Sequence, residues 1–327
     1  MIGIQVTTNT MKELNDLEQA LEQAKGDDQR LEALLALLLR YKEDKFVEGW
    51  NIGNQALELA TKMLDRGGVA QANEGLATVL WKLAEFSSSI EHFEKALDQH
   101  LGLGDLYGVA RCYCGMGIIS GTLEEYRAAL EYFLEGLSAA RRANRLQLAA
   151  TITGNIGHVY FNLGRYKEAM ECFKHGLNFY EEINDALGSG NMLGGMAGVH
   201  AYQGEYDKAL ELVERAVVFH KSVNHRRGIA VSMMNLGIVY QRMGKLDKAK
   251  TEFKSALNYS KSINLKITEY DVLKNLSSVC ASLGEEEESA KYLKLYMDGQ
   301  KEEKKRSVKR KNEQFKQRQM IREIRSR

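Results

Sequence analysis

Four cysteines and seven histidines are the side chains of this 327-residue chain best suited to bind a metal or act as nucleophiles. Cys112 and Cys114 form a C-x-C pair. On a helix, residues two apart point about 200° away from each other, so the two thiols cannot grip one ion together. Cys172 and Cys280 stand alone, and His92, His100, His158, His175, His200, His220 and His225 contain no i, i+4 pair. The sequence therefore predicts mostly surface histidines, no completed ligand set, no metal and no cofactor. The cysteine spacing resembles no disulfide staple, which predicts a reducing, cytoplasmic compartment. The spacings of a nucleophile elbow, a zincin helix and a phosphate-binding Walker loop are all missing, so no catalytic residue is assigned. The glycine-dense stretch 188–198 (GSGNMLGGMAG) has the composition of a phosphate loop. Such a loop needs a strand before it, and here the preceding residues have a helical pattern. Each helical glycine costs about 1 kcal/mol against alanine, so this helix is expected to be the softest in the chain.

The elements that carry these residues repeat every 40 positions. Phe46, Phe86, Tyr126, Tyr166 and Tyr206 keep this step, with Leu246 next. Gly164, Gly204, Gly244 and Gly284 keep it too, as do Ala129, Ala169, Ala209 and Ala249, and Phe93, Phe133, Phe173, Val213 and Phe253. A period of this length means a solenoid built from one supersecondary unit. Within 147–183, apolar or small residues at Ala149, Ile152, Ile156, Val159, Tyr160 and Leu163 mark one helix face. Gly164 and Arg165 break it, and Tyr166, Ala169, Met170, Phe173, Leu177 and Tyr180 mark a second. Gly104, Asn144, Asn184, Asn224 and Asn264 are also 40 apart. Glycine and asparagine tolerate the left-handed backbone that closes a helix, so each reads as a C′ cap. The chain contains no proline, as expected of a nearly continuous stack of helices.

The strings NIGHVYFNLGRYKEAMECFKHGL (155–177) and NLGIVYQRMGKLDKAKTEFKSAL (235–257) resemble tetratricopeptide repeats. Gly157, Tyr160, Gly164, Tyr166, Ala169 and Phe173 fill the six signature places of that family, and Gly237, Tyr240, Gly244, Leu246, Ala249 and Phe253 fill them again with one conservative exchange. The period is 40 rather than the commoner 34, and the terminal proline is missing. Long-period arrays of this kind resemble those of bacterial signalling proteins, kinesin light chains and polarity adaptors. The fold implied is all-α: a right-handed α-α superhelix of about seven helix pairs with a C-terminal helical extension. Expected segments are an N-terminal capping helix in 1–29 with Thr10 as a possible cap, repeats at about 30–66, 70–104, 110–144, 150–184, 190–224, 230–264 and a degenerate 269–300, then a tail at 301–327.

In such a stack the first helix of each pair lines a concave groove. The resemblance places groove positions at Thr151, Asn155, His158, Asn162, Asn191, Tyr202, Asn235, Arg242, Asp271 and Asn275. Asn155, Asn235 and Asn275 share one register, broken once by Gly195. An amide both donates and accepts, which suits a bound peptide backbone, although it equally suits neighbouring backbone within the stack. The implied function is a non-catalytic scaffold that holds a peptide or helix of a protein partner, as a sensory or regulatory arm or adaptor in signalling. A second reading resembles Rap-type regulators of response-regulator phosphorylation. Those place a helical bundle before the array, where this chain has only 1–29. A third reading is the N-terminal part of a nucleotide cyclase or sensor kinase.

Charge separates the ends. Residues 301–327 hold twelve Lys/Arg and four Asp/Glu, a balance of +8, whereas the whole chain is +1 and the rest therefore −7. Val308 and Phe315 are seven apart, with Ile321 and Ile324 following, so the tail reads as a short coiled coil or signalling linker able to self-associate, as a basic helix for an acidic partner, or as a solvated end. Nucleic acid is not an expected partner, since no reading motif is present. A membrane is not one either, since the tail's apolar face is thin and no apolar run reaches 18 residues.

Overall fold

The computed structural model describes residues 14–41, 46–263, 265–302 and 305. Thr10, Asn264 and the tail positions Val308, Phe315, Ile321 and Ile324 lie outside the described residues. Among the described residues every regular element is an α-helix. Helix α1 covers 14–23 and α15 covers 286–302. Between them run α2 (Asp27–Tyr41), α3 (Phe46–Lys62), α4 (Arg66–Lys82), α5 (Phe86–Leu103), α6 (Leu106–Thr122), α7 (Tyr126–Arg142), α8 (Leu146–Asn162), α9 (Tyr166–Glu182), α10 (Ala186–Tyr202), α11 (Tyr206–Ser222), α12 (Arg226–Arg242), α13 (Leu246–Ser262) and α14 (Lys266–Ser282). The fold is an all-α helical-repeat solenoid. Each even-numbered helix opens a pair and begins three or four residues before the start that the sequence pattern suggested.

The chain divides into two compact units, Met1–Asn155 and Ile156–Arg327. In the first, α2 packs on α4 and α4 on α6, so first helices lie side by side. In the second, α10 packs on α12 and α12 on α14 in the same way. From α3 onward the links between helices are two or three residues long, which forces neighbours to run antiparallel.

The packing rule is an aromatic knob set on a small residue. A Cβ at Gly117 would come within 2.7 Å of the Phe133 ring, one at Gly157 within 2.8 Å of Phe173, and one at Gly237 within 2.6 Å of Phe253. Repeat five has Ala197 in the glycine place and Val213 in the knob place. Both are about 1% exposed, so the larger floor goes with the smaller knob. Phe173 also stands over Gly195 of the next first helix, where a Cβ would lie 2.6 Å from the ring. Gly188 and Gly190 are occupied likewise by Tyr180 and His220. The glycine-dense helix is thus a row of sockets, and three of its five glycines have a steric reason.

The periodic caps take the left-handed backbone at φ 70° for Gly104, 53° for Asn144, 55° for Asn184 and 52° for Asn224. Asn184 N–H donates to Glu181 O at 3.1 Å and Asp185 N–H to Tyr180 O at 2.8 Å, a Schellman closure. Three positions adopt the same backbone without a residue suited to it: Leu64 (57°), Ala84 (57°) and Glu124 (62°). Left-handed backbone costs an ordinary residue roughly 1–2 kcal/mol, more than the roughly 0.5–1 kcal/mol of entropy that glycine adds. Leu64 is 86% exposed, so its side chain contributes little packing. Leu64→Gly is expected to stabilise the protein by about 0.5–1 kcal/mol, read as a rise in the denaturant midpoint, whereas Leu64→Val should lower it.

The seventh pair replaces the aromatic corner with charge. Lys250 of α13 pairs with Glu285 and, at 2.7 Å, with Glu288. Ser277 and Ser289 exchange hydrogen bonds through their Oγ atoms and carbonyls at 3.0 and 2.9 Å.

Candidate functional site

The last helical position of each first helix shares one register: Asn162, Tyr202, Arg242 and Ser282. In the second unit this register builds an exposed aromatic patch. Tyr202, 53% exposed, meets Tyr166 at 5.0 Å between ring centroids and Phe161 edge-on at 5.8 Å and 85°. Phe161 and Tyr166 complete the triangle at 5.6 Å. The Arg242 guanidinium lies over the Tyr202 ring at 4.8 Å. Arg242 is exposed and makes no ion pair among the described residues. Its planar fork is thus held against an aromatic face with its edge available for a carboxylate.

The other expected groove residues divide by environment. Thr151, His158, Asn162, Asn191 and Asp271 are exposed. His158 rests edge-on against Phe173 at 4.9 Å, and the Asn191 side-chain oxygen lies 3.3 Å from His220 Nε2. Partial desolvation by the neighbouring helices, opposed by the Lys274 charge, lifts the Asp271 carboxyl above its usual range although the residue as a whole is exposed. The asparagine register behaves differently. Asn155, Asn235 and Asn275 are half-buried, in the register where Gly195 receives Phe173. Asn275 donates to Asp271 O of its own helix at 3.0 Å, and Asn155 Nδ2 points at Cys114 Sγ at 3.9 Å. Two of the three amides are therefore directed within the stack. Thr151 likewise donates to Gln147 O, one turn back on its own helix.

The first unit holds a cavity of about 530 Å³, bounded by Leu38, Leu39, Leu103, Glu74, His100 and Arg111. Glu74 on α4 is its charged centre. Arg111 Nε donates to Glu74 Oε2 and Nη2 to Oε1, both at 3.0 Å, and His100 Nε2 lies 2.6 Å from Oε1. Burial opposes ionisation of Glu74, but the bonds from His100 and Arg111 outweigh it and hold the carboxyl below its usual range. Arg111 and Arg145 both stack on the Tyr107 ring, at 4.3 and 4.7 Å.

Two expectations about the histidines and cysteines need correction. Only His158 and His175 are exposed, while His100 and His220 are 3% and 4% exposed. They fill space beside glycines, since a Cβ at Gly108 would lie 2.1 Å from His100 and one at Gly228 2.6 Å from His220. The expectation that no ligand set is completed also fails: ligand atoms of Glu74, His100 and Cys112 lie within 4.8 Å of one another. As the helical angle requires, Cys112 points to Glu74 and Cys114 to Asn155. No spacing along the chain announces the cluster, because its members are 12 to 38 residues apart and only the pairing of helices unites them. The four thiols are free.

The tetratricopeptide repeat pattern matches residues 68–142, 148–219 and 188–262, more than half of the chain. The chain belongs to the tetratricopeptide repeat family. No curated protein matches its sequence. Among solved structures, this tetratricopeptide repeat protein is similar to apo RapI, with a TM-score of 0.71 and 18% identity over 84% of this chain and 99% of that one. It is similar to the Rap conjugation gene regulator of plasmid pLS20 in complex with the Phr* peptide, with a TM-score of 0.66 and 15% identity over 84% of this chain and 76% of that one. It is similar also to aspartyl phosphate phosphatase F from Bacillus subtilis, with a TM-score of 0.57 and 13% identity over 88% of each chain. At these identities the likeness establishes the fold. No helix among the described residues is long and apolar enough to cross a membrane.

Proposed function

We propose that this protein is a non-catalytic interaction scaffold that holds a peptide or helix of a protein partner on the first helices of its second unit, as a regulatory arm or adaptor in signalling. The observation that carries this is the Phe161–Tyr166–Tyr202 patch with Arg242 laid across it. Aromatic and arginine side chains dominate binding hot spots, because they offer large rigid area and directed charge at small entropic cost. Arg242 favours a partner that brings a carboxylate next to an aromatic or aliphatic side chain. The peptide seated on the plasmid-encoded Rap regulator supports this use of the fold. The four free thiols support a reducing cytoplasm as the setting. Self-association through the C-terminal segment is a further part of the reading, tested by sedimentation with and without 301–327.

A displayed peptide library should select acidic, aromatic-containing sequences. Tyr202→Ala and Arg242→Ala should each weaken the selected peptide by about 2 kcal/mol, roughly 30-fold, with unchanged helicity. Asn275→Ala should change binding little, since its amide serves its own helix. Selected peptides that bind both patch variants as tightly as the wild type would remove the patch from the binding face. Accelerated loss of phosphate from phosphorylated receiver domains would replace this reading with a Rap-like regulator.

A further inference from the structure

We infer that Glu74, His100 and Cys112 form a zinc site in the first unit, independent of the peptide-binding face. Three donors of the types zinc prefers, a carboxylate, an imidazole and a thiol, come from three successive helices: α4, the last turns of α5, and α6. Oε1 of Glu74 lies 2.6 Å from His100 Nε2 and 3.7 Å from Cys112 Sγ. Ligands about 2.0–2.3 Å from a tetrahedral zinc stand roughly 3.3–3.6 Å apart, so the carboxylate need withdraw from the imidazole by only about 1 Å or less.

The surroundings match what such a site requires. Zinc-bound histidines present their second nitrogen to a carboxylate, which orients the ring. His100 Nδ1 is buried without an aligned hydrogen-bond partner, and Asp105 Oδ2 lies 2.9 Å away, so a small ring rotation would join them; Asp105 is pinned because its Oδ1 accepts from the Tyr107 and Gly108 N–H groups that open α6. Arg111 can keep its Nε bond to Glu74 Oε2 while Oε1 turns to the metal. The cavity lined by Glu74 and His100 supplies room for a water as fourth ligand. Charge also balances: Zn²⁺ with a thiolate and the Glu74 carboxylate is neutral, and Arg111 offsets Asp105. In the metal-free site the Cys112 S–H points at Glu74 Oε1 as a donor. Binding forms the Zn–S and Zn–N bonds, breaks the S–H bond with release of that proton to solvent, and moves the neutral imidazole's proton from Nε2 to Nδ1, on the side of Asp105, without any redox change.

The full chain, freed of metal with a chelator, would be titrated with Zn²⁺ alone and separately with Co²⁺. One ion per chain is expected, with proton release and, for cobalt, a thiolate-to-metal charge-transfer band. Cys112→Ser should abolish the band and weaken zinc at least about 100-fold, and Asp105→Asn should weaken it about 10- to 100-fold. Cys114→Ser should leave both unchanged. X-ray absorption on the wild-type zinc complex, which needs no variant, should show one sulfur at about 2.3 Å with nitrogen or oxygen neighbours. A shell without sulfur, or a band kept by Cys112→Ser and lost by Cys280→Ser, would overturn the assignment. The latter result would move the ion to Cys280, Glu285 and Glu288, which also lie within reach of one another.

Discussion

Phe173→Ala is expected to destabilise the second unit by about 3–5 kcal/mol, the range for truncating a fully buried phenylalanine. Its ring is 0% exposed and fills two sockets at once, Gly157 on its own first helix and Gly195 on the next. Removing it opens a cavity on both sides of α9, and the backbones at two glycines cannot collapse into it. The complementary change acts from the floor. A methyl group at Gly195 would lie 2.6 Å from the ring, so Gly195→Ala should cost about 1–3 kcal/mol through overpacking. At Gly194, one residue earlier on the same helix, a methyl group would find nothing within 4 Å. Gly194→Ala should therefore stabilise by up to about 1 kcal/mol through helix propensity alone. Denaturant midpoints of the three variants check the set. A Gly195→Ala protein as stable as Gly194→Ala would mean that Phe173 is not seated as described. Because each repeat contacts only its neighbours, exchange protection should fall first in α8 to α10 of the Phe173→Ala protein.

The second large effect is on pH. His92 is half-buried on α5, and its Nδ1 donates to Asn73 Oδ1 at 2.8 Å. Burial, with a smaller contribution from the Lys95 charge and an opposing one from Glu91, pushes its pKa down to about 4 from 6.5. A protonated ring would keep the Asn73 bond, so desolvation is what disfavours the charge. The unfolded chain then binds more protons than the folded one between pH 6.5 and 4, and stability rises with pH across that window. The contribution is complete above 6.5 and is lost as pH falls toward 4, by about 3 kcal/mol. His220 and His225 shift in the same direction, chiefly through burial. The His225 ring also accepts from Gly228 N–H, a cap that protonation would remove. Midpoints measured from about pH 7.5 to about 4.5 should fall for the wild type and fall less for His92→Gln. Parallel curves would show that His92 titrates normally.

Much of the architecture was legible in the residues. The 40-residue step of aromatic, glycine, alanine and cap positions states a repeated helix pair, because each helix must present the same face to equivalent neighbours. Asn144, Asn184 and Asn224 as left-handed caps follow from local backbone energetics alone, and the structure has them so. What escaped the sequence is set by contacts between helices. Leu64, Ala84 and Glu124 take left-handed backbone because the fold imposes the turn, against their own preference. The asparagine register was read either as ligand-facing or as serving the stack; its three members are half-buried, and Asn275 donates to its own helix. Periodicity places residues on one face of a helix but does not say where the neighbouring helix ends and solvent begins.

The residues by themselves determined the helix pairs, their caps and the family, since these depend on local propensity and on a pattern repeated along the chain. Only the tertiary structure brought Tyr202 beneath Arg242, and Glu74 beside His100 and Cys112. Those meetings depend on how far each helix rotates and rises against the next. That is set by the volumes packed between helices, such as phenylalanine on glycine, and no spacing along a single helix encodes it.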